Sequence, residues 1–435
     1  MIPEKNYPSD LADFIRTSPT AFHAAASAGK LLKENGFTRL DERESWQNLP
    51  AGRYFAVRND SSLIAFIRQD TVQSIEMIGA HTDSPCLKVK PNPVRVKQNC
   101  LQLGVEVYGG ALLRPWFDRE LSLAGRICWH DAGADSAIHS SLIDFQRPVA
   151  IIPNLAIHLN REANKKQEVN RQTDLVPVLA LAGDDELYLP DFSAIVEEQL
   201  RSQHSLPEQA AVTDYDLFFY DAAPPALVGL HDQFLVGARL DNLVSCFAAL
   251  QALLAADSAG TEQNCLIILN DHEEVGSVSA CGAQGTFLRD ILERLLPEAG
   301  ERQAVLRNSF LISADNAHAV HPNFPDRHDA QHLPLMAKGP VIKINANQRY
   351  ATNAGTAARF RMLCTQAEVP VQEFVMRNDM ACGSTIGPLT AAEIGIDTVD
   401  VGVPSLAMHS IRETAACRDC WFLYQALCTF FTAGA

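Results

Sequence analysis

The chain has 435 residues, 47% of them hydrophobic and 20% charged, with a formal net charge of −16. That composition excludes a disordered chain and describes a soluble globular protein, too long for one ordinary core, so two domains are expected. The acidic balance argues against a nucleic-acid-binding surface, which needs a basic field, and says nothing about local sites.

Met1 to Asp10 contains no basic segment followed by an apolar run, so no signal peptide is read there. No uninterrupted apolar stretch approaches the ~18 residues that would span a membrane, and Ala248 to Ala256 reads as an amphipathic or buried helix. The 11 cysteines are scattered and odd in number, which fits reduced thiols in a cytoplasmic protein. Cys417 and Cys420 have C-x-x-C spacing but no matching second pair, so they read as two residues of a C-terminal helix.

Pro8 to Gly36 reads as a helix, with Ser9 or Asp10 as its cap and Gly36 just past its end. Tyr54 to Ile67 reads as two strands around the polar turn Arg58-Asn59-Asp60-Ser61-Ser62. Ser74 to Ala80 is a further strand, running into His81-Thr82-Asp83-Ser84-Pro85. From Pro91 the texture changes. Val94, Val96, Leu101, Leu103, Val105 and Val107, then Leu121, Leu123, Ala156 and His158, alternate with mostly polar neighbours. This is the period of a half-exposed antiparallel sheet. Arg161 to Asp174 reads as a polar loop, Ala194 to Gln203 as a helix and Asp214 to Tyr220 as a strand, before Pro224-Pro225 breaks the chain. A mainly β domain is therefore placed at residues 92–235, inserted into an α/β domain made of 1–91 and 236–435.

Beyond Gly237, Leu243 to Ala256 and Phe287 to Leu296 read as helices. Ser309 to Ala314, Val341 to Asn345, Ala367 to Met376 and Thr398 to Val403 read as strands, and Asp419 to Ala433 as a closing helix. Leu266-Ile267-Ile268-Leu269 is a continuous apolar run, as in a buried parallel strand, and leads directly into Asn270-Asp271-His272-Glu273-Glu274. Two adjacent carboxylates at a half-buried strand end repel each other unless a cation is present.

Other strands end in ligand-type residues as well: His81 after one, Asp315 after another, His409 shortly after Thr398–Val403, with Asp241 just before a helix. Taken singly, His81 is an ordinary turn histidine, Asp241 a helix N-terminal aspartate and Asp315-Asn316 a capping pair. The repetition is what carries the reading: parallel neighbours would bring two histidines, two aspartates and two glutamates to one sheet edge. Imidazole with carboxylate is a donor set that zinc accepts, and manganese and cobalt accept similar sets. Five of the six suit two metals sharing one carboxylate. The sixth, one of the adjacent glutamates, is then free as a base for a water held by the metals. Asp83 stands where it can hold the second nitrogen of His81. His318, His321, His328 and His332 lie among prolines and read as loop residues. There is no H-E-x-x-H, G-x-S-x-G, Walker loop or G-x-G-x-x-G.

Six segments together resemble the aspartyl aminopeptidases, a family of two-zinc metallo-aminopeptidases. They are Gly79–Pro85, Gly237–Asn242, Asp271–Ser277, Ser313–His318, Lys343–Tyr350 and Ala407–Glu413, and they span nearly the whole chain. The resemblance implies a catalytic domain of the zinc exopeptidase type, with a mixed sheet, and an inserted, mainly β dimerisation domain. It implies that Asp241 bridges two Zn²⁺ per subunit, that His81 and Asp315 complete one site, that Glu274 and His409 complete the other, and that Glu273 is the general base. It further implies peptide substrates with N-terminal Asp, then Glu, and Lys343 facing their acidic side chain. Tyr350, Gly383 and Ser384 are implied near the substrate, His158 is implied to reach a neighbouring subunit's site, and dimers are implied to build a tetrahedral dodecamer. The rival readings are a two-metal deacylase or carboxypeptidase, and a non-enzymatic metal-stabilised assembly protein, for which a spare base has no use.

Overall fold

The computed structural model describes residues 2–46, 49–131, 137–165, 168–182 and 191–433. Packing divides the chain into two units. The first comprises Met1–Ser84, Pro225–Met408 and Glu413–Ala435, and the second Pro85–Pro224 with His409–Arg412.

The apolar runs of the first unit become the centre of a nine-stranded mixed sheet among the described residues. Its middle strands lie in the order Ser62–Arg68, Cys265–Asn270, Glu76–His81, Phe310–Ala314, Asp397–Gly402. The last four are parallel neighbours, so their C-terminal ends share one edge. Ser62–Arg68 is antiparallel to Cys265–Asn270 on one side, and Val341–Ile344 is antiparallel to Asp397–Gly402 on the other.

Both faces of this sheet are covered, which is why its strands are apolar at every position rather than at alternate ones. Leu63, Ala65, Ile67, Ile267 and Leu269 face one core, packed with Leu243, Phe247 and Leu250 and with Leu423, Leu427 and Phe431. The intervening Ile64, Phe66, Leu266 and Ile268 face a second core, with Phe287, Ile291 and Leu292. The helix Leu240–Ser258 is apolar and long enough to cross a membrane by composition, but 83% of its apolar window is buried inside the protein.

The second unit contains a six-stranded sheet among the described residues, antiparallel throughout. The helix Phe192–Gln203 places Phe192, Val196 and Leu200 on one face, against Leu87, Leu103, Leu123, Leu217 and Phe219. Full burial of each such side chain is worth about 1.5–3 kcal/mol.

Several local expectations need correction. The N-terminal segment is two helices, Tyr7–Arg16 and Ala21–Glu34. Pro19 cannot continue the first, and Thr20 caps the second by accepting the His23 N–H. The first helix starts at Asn6 as N-cap, not at Ser9 or Asp10. Ala156 and His158 are not in a strand: they lie in a turn in which the Leu159 N–H donates to the Ala156 carbonyl at 2.8 Å. Pro153 precedes it, and the Asn154 side chain donates to Asp118, which directs the chain away from a ladder. The strand read at Ala367–Met376 is confined to Gln372–Val375, because Ala367 caps the helix Ala354–Gln366 and Glu368, at positive φ, turns the chain before Pro370. That helix, Ala299–Asn308 and Ile386–Ile394 are absent from the sequence reading. Residues 166 and 167 of the polar loop lie outside the described residues.

The units divide at Pro85 and after Pro224 rather than at 92 and 235. The strand Cys86–Lys97 already belongs to the six-stranded sheet. The strand Ala226–Val228 pairs with Phe234–Gly237, which pairs with Glu413–Ala416, all in the first unit.

Candidate metal centre

His81 is the last residue of its strand and is 1% exposed. Its Nε2 lies 3.5 Å from Asp241 Oδ1 and 3.5 Å from Asp315 Oδ1. Glu274 completes the group: ligand atoms of His81, Asp241 and Glu274 all lie within 4.8 Å of one another. Two ionised carboxylates at such a spacing repel by about 3.5 kcal/mol at an effective dielectric constant of about 20. The chain thus buries an imidazole among carboxylates that only a cation reconciles, and the donor set fits zinc. Burial alone would pull the imidazole pKa of His81 down, but Asp241, Asp315 and Asp83 outweigh it and hold it well above its ordinary value.

Glu273 sits beside this group. Burial, then the neighbouring charges of Asp315, Glu274 and Asp83 opposed by His81, push its carboxyl up to about 8.

The adjacent glutamates come close to the same group of side chains because the turn is tight and held from below. His272 and Gly276 adopt left-handed backbone angles on either side of the short helical turn Glu273–Val275. The Asp83 carboxylate accepts both backbone N–H groups, from Glu273 and from Glu274, at 3.1 Å each. The same residue also serves His81: Nδ1 lies 3.0 Å from the Asp83 carbonyl oxygen and 3.4 Å from its carboxylate. Asp83 therefore fixes both the His81 ring and the turn.

Asp241 lies in the first turn of Leu240–Ser258, where its backbone departs from helical angles. Its N–H donates to Glu413 Oε2 at 2.8 Å, and its carbonyl accepts from Ser84 Oγ at 2.6 Å. Lys343 is 3% exposed. Its Nζ donates to Asp315 Oδ2 at 3.1 Å and stands 5.5 Å from the centroid of the Tyr350 ring. Tyr350 is buried with Ala317, Val341 and Phe374. Ser384 Oγ donates to the Arg349 carbonyl at 3.3 Å, and a Cβ at Gly383 would meet open space. His409 is grouped with the second unit, where its Nδ1 lies 3.1 Å from the Gly110 carbonyl oxygen. His158 is exposed in its turn, also in the second unit. The His318 and His328 rings each stand nearly perpendicular to the Phe374 ring. Cys417 and Cys420 are in the C-terminal helix, as their spacing suggests.

Residues 14–431 match the family model described as Aminopeptidase I zinc metalloprotease (M18). This chain belongs to the M18 family. M18 is the family of the aspartyl aminopeptidases. The Pseudomonas putida (strain GB-1) protein named "Probable M18 family aminopeptidase 2" is 55% identical over 425 residues, covering 97% of both chains. A chain in the cryo-EM structure of the Ape4 and Nbr1 complex superposes with a TM-score of 0.93 at 36% identity, covering 98% of this chain and 86% of that one. The S. cerevisiae mApe1 dodecamer gives a TM-score of 0.83 at 27% identity, with 98% and 96% covered. The protein is thus an M18 metalloaminopeptidase, with an α/β catalytic domain and an added, mainly β domain.

Within this M18 chain, sequence reading leaves out the residues that hold the candidate ligands by their backbone. Ser84 and Glu413 fix Asp241, and the Asn242 amide donates to the Ala314 carbonyl at 2.7 Å, next to Asp315. Ser84 and Glu413 stand inside two of the six segments that carry the resemblance, so the motifs point to them without naming a role.

Proposed function

We propose that this aminopeptidase removes acidic residues, aspartate before glutamate, from the N-termini of peptides, at a centre that takes two zinc ions per subunit. The observation that carries the acidic preference is Lys343: a buried ammonium in contact with Asp315 and the Tyr350 ring. Such a cation, already out of water, favours a carboxylate side chain over a neutral one.

His81, Asp241, Glu274 and Asp315 would hold the ions, with Asp241 common to both; His409 joins them on its sequence motif alone. Bound zinc supplies polarisation of the scissile carbonyl and a more acidic attacking water. Glu273 takes the proton of that water and delivers it to the leaving amine. Asp83 keeps His81 oriented and keeps Glu273 turned toward the centre. The second unit mediates dimers of a homo-oligomer, and the dodecamer named for the S. cerevisiae relative is the arrangement proposed. A cytoplasmic location accords with 11 free cysteines.

A substrate panel tests the reading. Peptides with free N-terminal Asp or Glu should be cleaved well, those with neutral N-termini poorly, and N-blocked peptides not at all. Cleavage of blocked peptides would favour a deacylase or carboxypeptidase. Exhaustive chelation should abolish activity, and re-addition of zinc should restore it at two ions per subunit; restoration at one would correct the count.

A further inference from the structure

Behind the glutamate turn lies a second cluster of metal-ligating side chains that the proposed reaction does not use. Asp271, His272 and Cys281 each present a ligand atom within 4.8 Å of the other two. Cys281 Sγ is 3.4 Å from His272 Nδ1, and Asp271 Oδ2 is 3.5 Å from His272 Nε2. A single ion takes only one nitrogen of the His272 ring; at a tetrahedral zinc, Zn–S of about 2.3 Å and Zn–N of about 2.0 Å set sulfur and nitrogen about 3.5 Å apart, a spacing that Cys281 Sγ and His272 Nδ1 meet.

The cluster is built rather than accidental. Ser62 Oγ accepts the Asp271 N–H and donates to the Cys281 carbonyl, both at 2.8 Å, so one hydroxyl sets the spacing of the two segments. Ser279 Oγ accepts the Gly282 N–H at 2.9 Å and lies 2.9 Å from His272 Nδ1. A side chain at Gly282 would overlap the Ser277 carbonyl, which keeps the segment carrying Cys281 close against the turn. Asp271 and Cys281 are 4% and 3% exposed, whereas the His272 side chain is 31% exposed and offers a way in.

We propose that Asp271, His272 and Cys281 form a separate site for a thiophilic divalent cation, zinc in excess or cadmium, whose occupation inhibits the enzyme. Thiolate with imidazole and carboxylate selects such ions over magnesium or calcium. Binding replaces the Cys281 thiol proton by the metal and releases that proton to solvent. The link to catalysis is covalent and short, because His272 directly precedes Glu273 and closes the turn by accepting the Ser277 N–H at 2.7 Å. Drawing the His272 ring onto an ion shared with Cys281 moves the backbone that Asp83 holds at Glu273 and Glu274. The inhibitory half rests on Glu273 being the base; the binding half does not.

Cadmium is the probe, added to enzyme first loaded with its catalytic zinc. The wild type should take up one cadmium per subunit beyond exchange at the catalytic centre, show a thiolate-to-cadmium charge-transfer band in the ultraviolet, and lose activity about tenfold or more. Cys281→Ser should lose the extra ion and the band, bind cadmium more than about 100-fold more weakly, and stay active at that concentration. Cys281→Ala, which lacks the hydroxyl, should behave the same, so a folding defect in one variant leaves the other to decide. An unchanged band and stoichiometry in both variants would overturn the site and reduce the cluster to a hydrogen-bonded network. Loss of the band with undiminished inhibition would overturn the coupling to the turn. Failure of the aminopeptidase reading shows elsewhere, as an active Glu273→Gln enzyme.

Discussion

Two neighbouring side chains in an extended strand point to opposite faces, so Glu273 and Glu274 can serve one centre only from a tight turn. The Asp83 carboxylate makes that turn by taking both N–H groups. Asparagine there has one acceptor oxygen and turns an N–H₂ donor toward the second N–H, leaving a buried donor unpaired at about 1–3 kcal/mol. Asp83→Asn should therefore lower kcat by more than about tenfold while part of the metal is retained, as measured by kinetics beside metal analysis. Full activity would mean that the turn holds its shape without Asp83. Glu273→Gln tests the base itself. It keeps the shape, removes the proton acceptor, and should cost about 10²–10⁴-fold in kcat with metal content intact. Lys343 needs a paired measurement, because its ammonium also balances Asp315. Lys343→Ala should reduce kcat/KM for acidic N-termini far more than for neutral ones. An equal loss with lowered metal content would assign the lysine to Asp315 alone.

At the scale of elements, the sheet edge is set by close approaches that one methyl group can disturb. Gly387 stands near the start of the helix Ile386–Ile394, where a Cβ would overlap the Asp400 carboxylate. That carboxylate is buried and accepts from the Ala351 N–H and from Thr385 Oγ1, both at 2.6 Å. Alanine gains about 1 kcal/mol in helix propensity, and overpacking costs about 1–3 kcal/mol. With the carboxylate displaced from both partners, Gly387→Ala should destabilise by about 1–2 kcal/mol net. A denaturation midpoint equal to or above that of the wild type would show that the approach has slack. The parallel strands are legible in the sequence because each is a continuous apolar run that ends in a polar turn, and their order follows once they lie side by side. The helix Ala354–Gln366 is faint in the sequence: its buried stripe of Thr356, Ala357, Phe360, Leu363 and Cys364 has helical spacing but opens on a threonine and an alanine, which give little apolar contrast. Its start is marked only by the capping box of Asn353 with Thr356, where glutamate or glutamine is the usual partner. The candidate ligands are legible by residue type at strand ends. The Asp83 clamp is not, because its partners lie 190 and 191 residues away and only the folded sheet brings them together.

For the whole molecule, the second unit carries the assembly claim. It leaves Leu155, Ile157 and Leu159 at 56, 48 and 75% exposure in one short stretch, and Ile138 and Leu181 at 71 and 77%. A single exposed leucine is unremarkable, but several close in sequence suit an interface between copies of the chain. Deleting the unit would be a poor test, since it includes His409 and would remove that residue's Gly110 partner. Charges at the exposed positions are cleaner: away from buried contacts, a substitution shifts stability by no more than about 0.5 kcal/mol. Leu155→Asp combined with Leu159→Asp should leave the circular dichroism spectrum and unfolding midpoint unchanged while light scattering reports a smaller species. An intact large complex with a native spectrum would remove this surface from the assembly, and a lost spectrum would show that these leucines support the fold instead.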